Sequence, residues 1–406
     1  MRGLTDRCAR PDLLELGERQ APAATPAASV HRFEIEGGLL LLERSSNSLF
    51  AFNEAARHVW NLIEAGNSHA NLVSEFVETW GISRSRAEQD IHSIMAHWQK
   101  HGLLSGGDSG PVQTTRVNDA AVDLNPAVPP PRATEWVCTI RGIPIEISID
   151  KQPIAPIREL FRHLETPNAT PRSQIKISLA GANTIVLTQD GRERLRTADP
   201  AEAAGALYIA ILERIHPDVR WFALIHGAAL ARNGHGLALV GSSGSGKSTL
   251  TAALMAAGFD YLSDDLIALS EPAKAIVPWP LPLSIKPGSF DVVSRLWPEL
   301  AQAPSYRTKG LDARLLVPPA AAWDAQPAAL RRVVFPHYTA GVRPQLTRLS
   351  PFQTIERLLS DRIWLGSPIT EERVTAFLAW LEDTPAYALT YAELDGAVRL
   401  IEDVVA

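Results

Sequence analysis

Cysteine is nearly absent. The 406 residues hold two, Cys8 and Cys138, in unlike surroundings. Two such thiols make no disulfide framework, so the fold has to rest on its cores, and a reducing compartment fits. No stretch approaches the run of about 18 apolar residues that reads as a membrane-crossing helix. The first residues, Met1-Arg-Gly-Leu-Thr-Asp-Arg7, lack the apolar core of a secretory signal. The expected location is therefore the cytoplasm. Excess positive charge is missing too: 39 Lys and Arg face 45 Asp and Glu, a net charge of −6. That gives no reason to expect nucleic acid or an anionic membrane as partner. No internal repeat is visible.

What is present is a composition 46% apolar and 21% charged, the balance of a soluble protein with real cores. The length predicts two or three domains. Residues 1–29, polar and rich in Ala and Pro, read as a loose arm. Residues 30–104 read as a compact unit in the order β-β-β-α-α-α. Alternation at His31–Glu36, a turn at Gly37-Gly38 and apolar runs at Leu39–Leu42 and Ser48–Phe52 predict the strands. Asn53 is the N-cap of a first helix, with Val59, Trp60 and Ile63 inward and Gly66 as its stop. Leu72, Val73, Phe76 and Val77 mark a second helix that Gly81 ends. Ser83 opens a third, carrying Ile91, Ile94 and Trp98. Residues 105–134, with Gly106-Gly107 and Pro129-Pro130-Pro131, read as a linker that is flexible first and stiff later. Residues 135–406 read as an α/β domain. Its strands are expected at Glu135–Ile140, Pro144–Ile149, Ile175–Leu179 and Thr184–Thr188, with a helix at Ala201–Ile215.

The densest chemistry lies at Gly241-Ser242-Ser243-Gly244-Ser245-Gly246-Lys247-Ser248. An apolar run, Leu237–Val240, leads into it, and a helix from Thr249 to Ala257 follows. Strand, Gly-rich loop and helix with the pattern G-x-x-x-x-G-K-S predict a phosphate cradle for a nucleoside triphosphate. The glycines let backbone N–H groups converge on phosphate oxygens, and the helix N-terminus adds partial positive charge. Lys247 is placed to reach the terminal phosphates and Ser248 to ligate Mg²⁺; Thr249 completes the binding set. Upstream, Asn233-Gly234 between apolar runs predicts a hairpin that brings His226 beside this loop. Downstream, Asp264-Asp265 interrupts an apolar strand. Two carboxylates there are costly unless they serve a cation or a reaction. One can face Mg²⁺ and the other can take a proton from an attacking hydroxyl.

His226-Gly227-x-x-Leu230, the loop, a helix ending in Gly258 and then Asp264-Asp265 resemble the HPr kinase/phosphorylase family. His226 lies 15 residues before Gly241, and Asp264 lies 17 after Lys247. The resemblance implies a P-loop, PEP-carboxykinase-like α/β fold. It implies Asp264 as general base toward a serine, His226 as the group that holds it, and Lys247 and Ser248 at phosphate and Mg²⁺. Asp265 is by the same token the Mg²⁺-side carboxylate. Thr249 stands where that family usually has Glu, and the family's second signature is not visible after Asp265. In its place stands Pro278-Trp-Pro-Leu-Pro-Leu-Ser-Ile-Lys286, as in diverged HPr-kinase-like proteins found beside peptide-modification genes. Lys286, Arg307 and Lys309 are candidates for nucleotide, phosphate or substrate contacts.

Residues 31–104 resemble the PqqD-like fold, a small winged-helix-like α+β unit known as the RiPP recognition element. Phe50-Ala-Phe-Asn53-Glu-Ala-Ala, Val59-Trp60 and His101-Gly-Leu-Leu104 carry the likeness. The resemblance implies that a precursor's leader peptide adds as a strand to the edge at Ser48–Phe52 and packs on the helix at Arg84–Lys100. Leu49, Phe50, Phe52, Ile91 and Ile94 are then the contact candidates. A DNA-reading winged helix is disfavoured by charge, since residues 30–104 hold six Lys/Arg against nine Asp/Glu. The expectation is an ATP- and Mg²⁺-dependent kinase of a serine, or a threonine, in a ribosomally made peptide. The N-terminal unit holds the leader, and the linker gives the kinase reach over its tethered substrate. The alternatives are a kinase/phosphorylase of an HPr-type carrier and a non-catalytic nucleotide-binding peptide chaperone. A homo-oligomer is compatible with either.

Overall fold

The computed structural model describes residues 24–105, 134–150, 157–180, 184–308, 311–361, 363–366 and 368–405. The expected linker, most of the expected arm and Lys309 lie outside them. The part of the arm that is described is not loose. Thr25–Pro26 pairs antiparallel with Leu104–Ser105 and ties together the two ends of the N-terminal unit.

Strands Val30–Ile35, Gly38–Glu43 and Ser48–Asn53 form an antiparallel sheet with Gly38–Glu43 in the middle. Helices Glu54–Glu64, His69–Trp80 and Arg84–Lys100 follow where the periodicity predicts them. Each begins at a side-chain oxygen that accepts a first-turn N–H: Asn53 from Ala56, Ser68 from Asn71 and Ser83 from Arg86. A helix leaves those donors unpaired by itself, which is why these residue types precede it.

Successive side chains of a strand point to opposite faces. Leu39, Leu41 and Phe52 turn toward the unit's own helices and meet Val59, Trp60, Ile91 and Trp98. Leu40 and Leu42 turn the other way. They enter a core shared with Phe352 and Ile355 of the helix Pro351–Ser360 and with Val374 and Phe377 of the helix Glu371–Asp383. Leu49 and Ala51 pack against the same core. All six residues of Gly38–Glu43 are buried. The expected picture of two bodies joined only by a linker is thereby corrected. An unbroken apolar run such as Leu39–Leu42 marks a strand covered on both faces, and the second cover comes from the C-terminal part of the chain.

Polar contacts ring this junction. Glu371 pairs with Arg44 and, at 3.0 Å, with His31. The Asn47 side chain accepts a bond from the Ile369 N–H. The charged groups are a third to a half exposed, so such pairs contribute about 0–1 kcal/mol each. A fully buried leucine or phenylalanine side chain contributes about 1.5–3 kcal/mol. The apolar contacts therefore decide the docking.

The rest of the chain is a mixed α/β body. A five-stranded sheet runs in the order Arg192–Thr197, Ile185–Gln189, Ser173–Leu179, Ile143–Ile149, Thr134–Ile140, and it shares a core with the helix Pro200–Ile215. Cys138 is fully buried there, and burial pushes its thiol up to about 12. It behaves as a small apolar side chain. A ten-stranded sheet carries the chemistry. At its centre His235–Val240 runs parallel to Ala328–Tyr338, which runs parallel to Ala386–Tyr391.

A Cβ at Gly38 would collide with the Phe352 ring and come within 2.6 Å of the Phe52 carbonyl oxygen. Gly38→Ala is expected to cost about 1–3 kcal/mol, the usual range for overpacking. Denaturant melts of Gly38→Ala, Phe352→Ala and the double variant check this. The double variant should lose less than the two single losses added, because removing the ring removes its part of the collision and leaves only the approach to the Phe52 carbonyl. Strict additivity would show that the two residues do not meet.

Candidate functional site

The Asn233-Gly234 hairpin forms as the sequence predicts. Gly227–Arg232 and His235–Val240 pair from Arg232↔His235 back to Gly227↔Val240, with Asn233 at φ 53° and Gly234 at φ 77°. Two consecutive left-handed residues suit the twist of a two-residue hairpin. The chain then enters the Gly-rich loop at the carboxyl end of a strand with a parallel neighbour. That is where open α/β sheets keep their ligand crevices.

The loop needs its glycines. Gly241, Gly244 and Gly246 have φ of 155°, 91° and 98°. At Gly246 a Cβ would overlap the Tyr391 hydroxyl, which donates to the Gly246 carbonyl at 3.2 Å. The Tyr338 N–H donates to the Ser245 carbonyl at 3.1 Å. The parallel neighbour Ala328–Tyr338 and the next strand out, Ala386–Tyr391, therefore hold the loop by their last residues. Gly246 caps the helix Lys247–Ala256, so Lys247 and Ser248 occupy its first turn. Lys247 folds its ammonium onto the Gly241 carbonyl and, at 3.2 Å, the Ser242 carbonyl. The Ser245 hydroxyl is buried with no hydrogen-bond partner among the described residues. Thr249 donates to Ser289 at 2.7 Å, so its hydroxyl braces the helix against the next segment.

Asp264 and Asp265 do not lie inside one strand as expected. Asp260–Ser263 ends beside Gly227–Arg232, and Ile267–Ser270 begins between Trp221–Ile225 and Ala275–Val277. The two aspartates make the bend between them. Asp265 takes φ 64°, a left-handed value that aspartate tolerates better than most residues. The bend buries Asp264 and leaves Asp265 exposed. Burial, and then the neighbouring Asp265 charge, push the Asp264 carboxyl up to about 7. The Asp265 N–H, the Lys247 charge and the Ser284 N–H pull it back. His226 approaches this bend, but its Nδ1 sits 3.0 Å from the Asp265 carbonyl oxygen rather than on the Asp264 carboxylate.

The Pro-rich segment after the bend runs along the same wall. The Trp279 N–H donates to the Leu262 carbonyl at 2.7 Å, and the Tyr261 hydroxyl donates to the Leu281 carbonyl at 2.5 Å. The strand Leu283–Ile285 follows, and Lys286 at its end donates to the Ser243 hydroxyl at 2.6 Å. Lys286 thus joins the loop, as its candidacy requires. Arg307 lies on the strand Ser305–Thr308, opposite Asp312. Two residues were missed by the sequence reading. Ser284 gives its N–H to Asp264, and its hydroxyl meets the Tyr306 hydroxyl at 2.5 Å. Burial raises the Tyr306 phenol, with the charges of Asp265 and Asp264 adding to it. The only sequence signal was a lone serine within Leu281–Ile285 and a tyrosine in a basic run.

Ser248, in the first turn of the loop helix, and the exposed Asp265 are the oxygens expected to hold Mg²⁺, an ion commonly held by one or two carboxylates and phosphate oxygens rather than by a full protein cage. No cluster of three or more His, Cys, Asp or Glu exists among the described residues. A cavity of about 430 Å³ opens at the far end of the loop helix, by Met255, Phe259 and Trp297, and neither the loop nor the acid pair lines it.

The peptide-contact candidates divide. Phe52 and Ile91 are core: Phe52 stacks on Trp98 at 4.5 Å, and Ile91 is fully buried. Leu49 packs into the docking junction. Burial takes Phe52 and Ile91 away from the expected role of touching a ligand, while Leu49 stays partly buried. Phe50 and Ile94 stay partly exposed, with the Phe50 ring 5.5 Å from that of His101. Among backbone pairings of the described residues, Ser48–Asn53 bonds only to Gly38–Glu43, and the helix Pro351–Ser360 packs against it.

The family model described as Coenzyme PQQ synthesis protein D (PqqD) matches residues 38–104. The N-terminal unit is a PqqD-like domain. Among solved structures, one titled "TbiB1 in Complex with the TbiA(beta) Leader Peptide" is similar at 19% identity. The match covers 21% of this chain and 99% of that one, with a TM-score of 0.20. No curated protein matches. The PqqD-like domain accounts for the sheet and its three helices. The Gly-rich loop and the acid pair lie outside it.

Asp264 supplies a pH test of the site's electrostatics. Its folded-state pKa lies above the usual carboxylate value, so the native state binds the proton more tightly. Stability then falls as pH rises from about 4 to 7, the window between the two pKa values. Asp264→Asn removes the ionisation. The variant is expected to be more stable than the parent above pH 7, by a margin on the order of 1–4 kcal/mol. Urea melts of metal-free protein at pH 5 and pH 8 check this. An equal gap at both values would show that Asp264 titrates normally.

Proposed function

We propose that this protein is an ATP- and Mg²⁺-dependent kinase of the HPr-kinase type, which phosphorylates a serine, or a threonine, of a ribosomally made precursor peptide. The observation that carries the reading is the loop with three left-handed glycines, closed on a helix N-terminus, with a buried carboxyl of raised pKa in the field of its lysine. The residues fit the group. The loop cannot accept a Cβ at Gly246, and the buried Ser245 hydroxyl lacks a partner among the described residues. The fit extends to Lys247 and Lys286, two cations on the loop.

Mg·ATP, when bound, supplies the phosphoryl group and part of the charge that balances it. Lys247 exchanges the Gly241 and Ser242 carbonyls for phosphate oxygens, and Lys286 adds a second positive charge from the Ser243 side. Ser248 and Asp265 would be the protein oxygens that hold the metal. Asp264 accepts the proton of the peptide hydroxyl as its oxygen forms the new bond to the γ-phosphorus, while the bond from that phosphorus to the β-phosphate oxygen breaks and ADP leaves. A base with a pKa near the working pH both exists in its charged form and takes protons readily. Burial of Asp264 is what tunes it. His226, through the Asp265 carbonyl, positions the bend, and Ser284 and Tyr306 orient the carboxylate from the other side. Holding reactants and base in line is most of what phosphoryl transfer asks of a protein.

The PqqD-like domain supports the peptide half of the reading. Its edge strand Ser48–Asn53, beside the helix Arg84–Lys100, suits a leader that adds as a strand. Phe50 and Ile94 are the side chains placed to read it.

Intact mass tests this directly. Short precursor peptides encoded beside the protein are incubated with it, ATP and Mg²⁺. The substrate is expected to gain about one phosphate, roughly 80 Da, bringing the added charge of a phosphoserine. The gain should vanish without the leader, and with Asp264→Asn or Lys247→Met protein. No gain on any peptide, while ATP still binds, would rule the kinase out.

A further inference from the structure

The PqqD-like domain is joined to the Gly-rich loop by an unbroken series of packed contacts. Leu40 and Leu42 share a core with Phe352 and Ile355 on the helix Pro351–Ser360. The strand Gln345–Arg348 precedes that helix and pairs along Ala386–Tyr391, and the Leu349 N–H donates to the Ala386 carbonyl at 2.8 Å. Tyr391 ends that strand and holds the Gly246 carbonyl. Each link is sheet pairing, a packed helix face or a buried hydrogen bond. Gly38, which has no room for a methyl group against Phe352, shows how closely the first link is fitted.

From this we infer that the protein selects its acceptor by distance. The inference rests on the leader-held kinase reading above. The leader edge at Ser48–Asn53 and the base Asp264 stand at one fixed separation. A hydroxyl is used only if enough peptide lies between it and the leader to span that gap.

The physics separates this from a flexible tether. A kinase swinging on a linker meets its substrate at an effective concentration that changes smoothly with peptide length. Between fixed sites the effective concentration is near zero until the peptide spans them, peaks, and then falls roughly as the −3/2 power of length. Each added residue extends the reach by at most about 3.3–3.6 Å. A short peptide therefore fails for want of two or three residues, whatever its leader affinity. The fixed path also orients the approach of the chain, so acceptors upstream of the threshold are silent even when their local sequence is identical.

The test uses the peptide that gains phosphate in the mass assay. Its core is replaced by a spacer of Gly and Ala of increasing length that ends in one serine. Initial rates are measured with the full chain, and leader binding is measured in parallel by anisotropy of a fluorescent leader. Rates are expected to rise at least about tenfold across two or three residues at a threshold, then fall gently, as two fixed sites require. Leader affinity should stay constant across the series. Glu371→Arg and Phe352→Asp loosen the docking junction without touching the loop, and because Leu49 and Ala51 of the edge strand pack against the same core, leader affinity is measured on each variant as well. Small-angle scattering should show each variant expanded, and its threshold should blur. Rates that change smoothly with length in the parent protein would overturn the distance rule while leaving the kinase reading intact. A threshold that stays sharp in an expanded variant would overturn it too. Absence of phosphate on every member of the series, with the leader bound and the parent peptide still phosphorylated, would overturn the distance rule, because a serine at the right distance would then not suffice.

Discussion

Double-sided burial of the strand Gly38–Glu43 is the constraint on which the arrangement of the molecule depends. A sheet of three strands has one hydrophobic face that its own helices can cover. Here Leu39 and Leu41 fill that face, and Leu40 and Leu42 make a second one. Left in water, those two leucines would each forgo about 1.5–3 kcal/mol. The helices Pro351–Ser360 and Glu371–Asp383 remove that cost by closing over them. Neither helix is then free to pack anywhere else, and the sheet they border, with its three parallel strands, is placed relative to the PqqD-like domain. The ion pairs of Glu371 select the register of this contact more than they strengthen it.

At the other end of the same sheet, burial acts on charge rather than on apolar area. Asp264 is taken out of water and receives N–H bonds from its own neighbour and from Ser284. Those bonds are too few to keep it strongly acidic, because desolvation and the Asp265 charge outweigh them. The left-handed bend at Asp265 decides which of the two carboxylates suffers this. A backbone bend thus sorts into one buried and one exposed carboxylate a pair that the sequence presents as equals.

Much of this was legible in the chain. The caps Asn53 and Ser83, the stop at Gly81, the Asn233-Gly234 turn and the strand-loop-helix around Lys247 are local signals, each complete within a few residues. The docking junction was not, although its mark was present. A run of four leucines says that both faces are covered, but not by what, and the cover lies some 300 residues further on. The contacts of His226, Ser284 and Tyr306 were hidden for a similar reason. They depend on where a bend and a Pro-rich segment cross in space, and residue type alone does not fix that. Among the peptide candidates, alternation separates Phe50 from Leu49 and Ala51. It does not separate Phe50 from Phe52, whose burial comes from the stack on Trp98.

A fixed docking and a tuned base serve the same end. A flexible tether raises the local concentration of a substrate but leaves each encounter to be oriented afresh. Orientation is the costlier part: a well-placed pair of reacting groups gains about 7–11 kcal/mol over free encounter, and a misplacement near 1 Å can forfeit a hundredfold in rate. A peptide has no fold with which to orient its own hydroxyl. If it is to be placed in line with a phosphoryl group and within reach of a single buried carboxylate, the orientation has to come from the protein. The series of contacts from Leu40 through Phe352 and Tyr391 to Gly246 is how this chain can provide it. On the proposed kinase reading, the second face of the small sheet would serve catalysis by holding the leader and the loop in one arrangement, although none of its residues touches the loop.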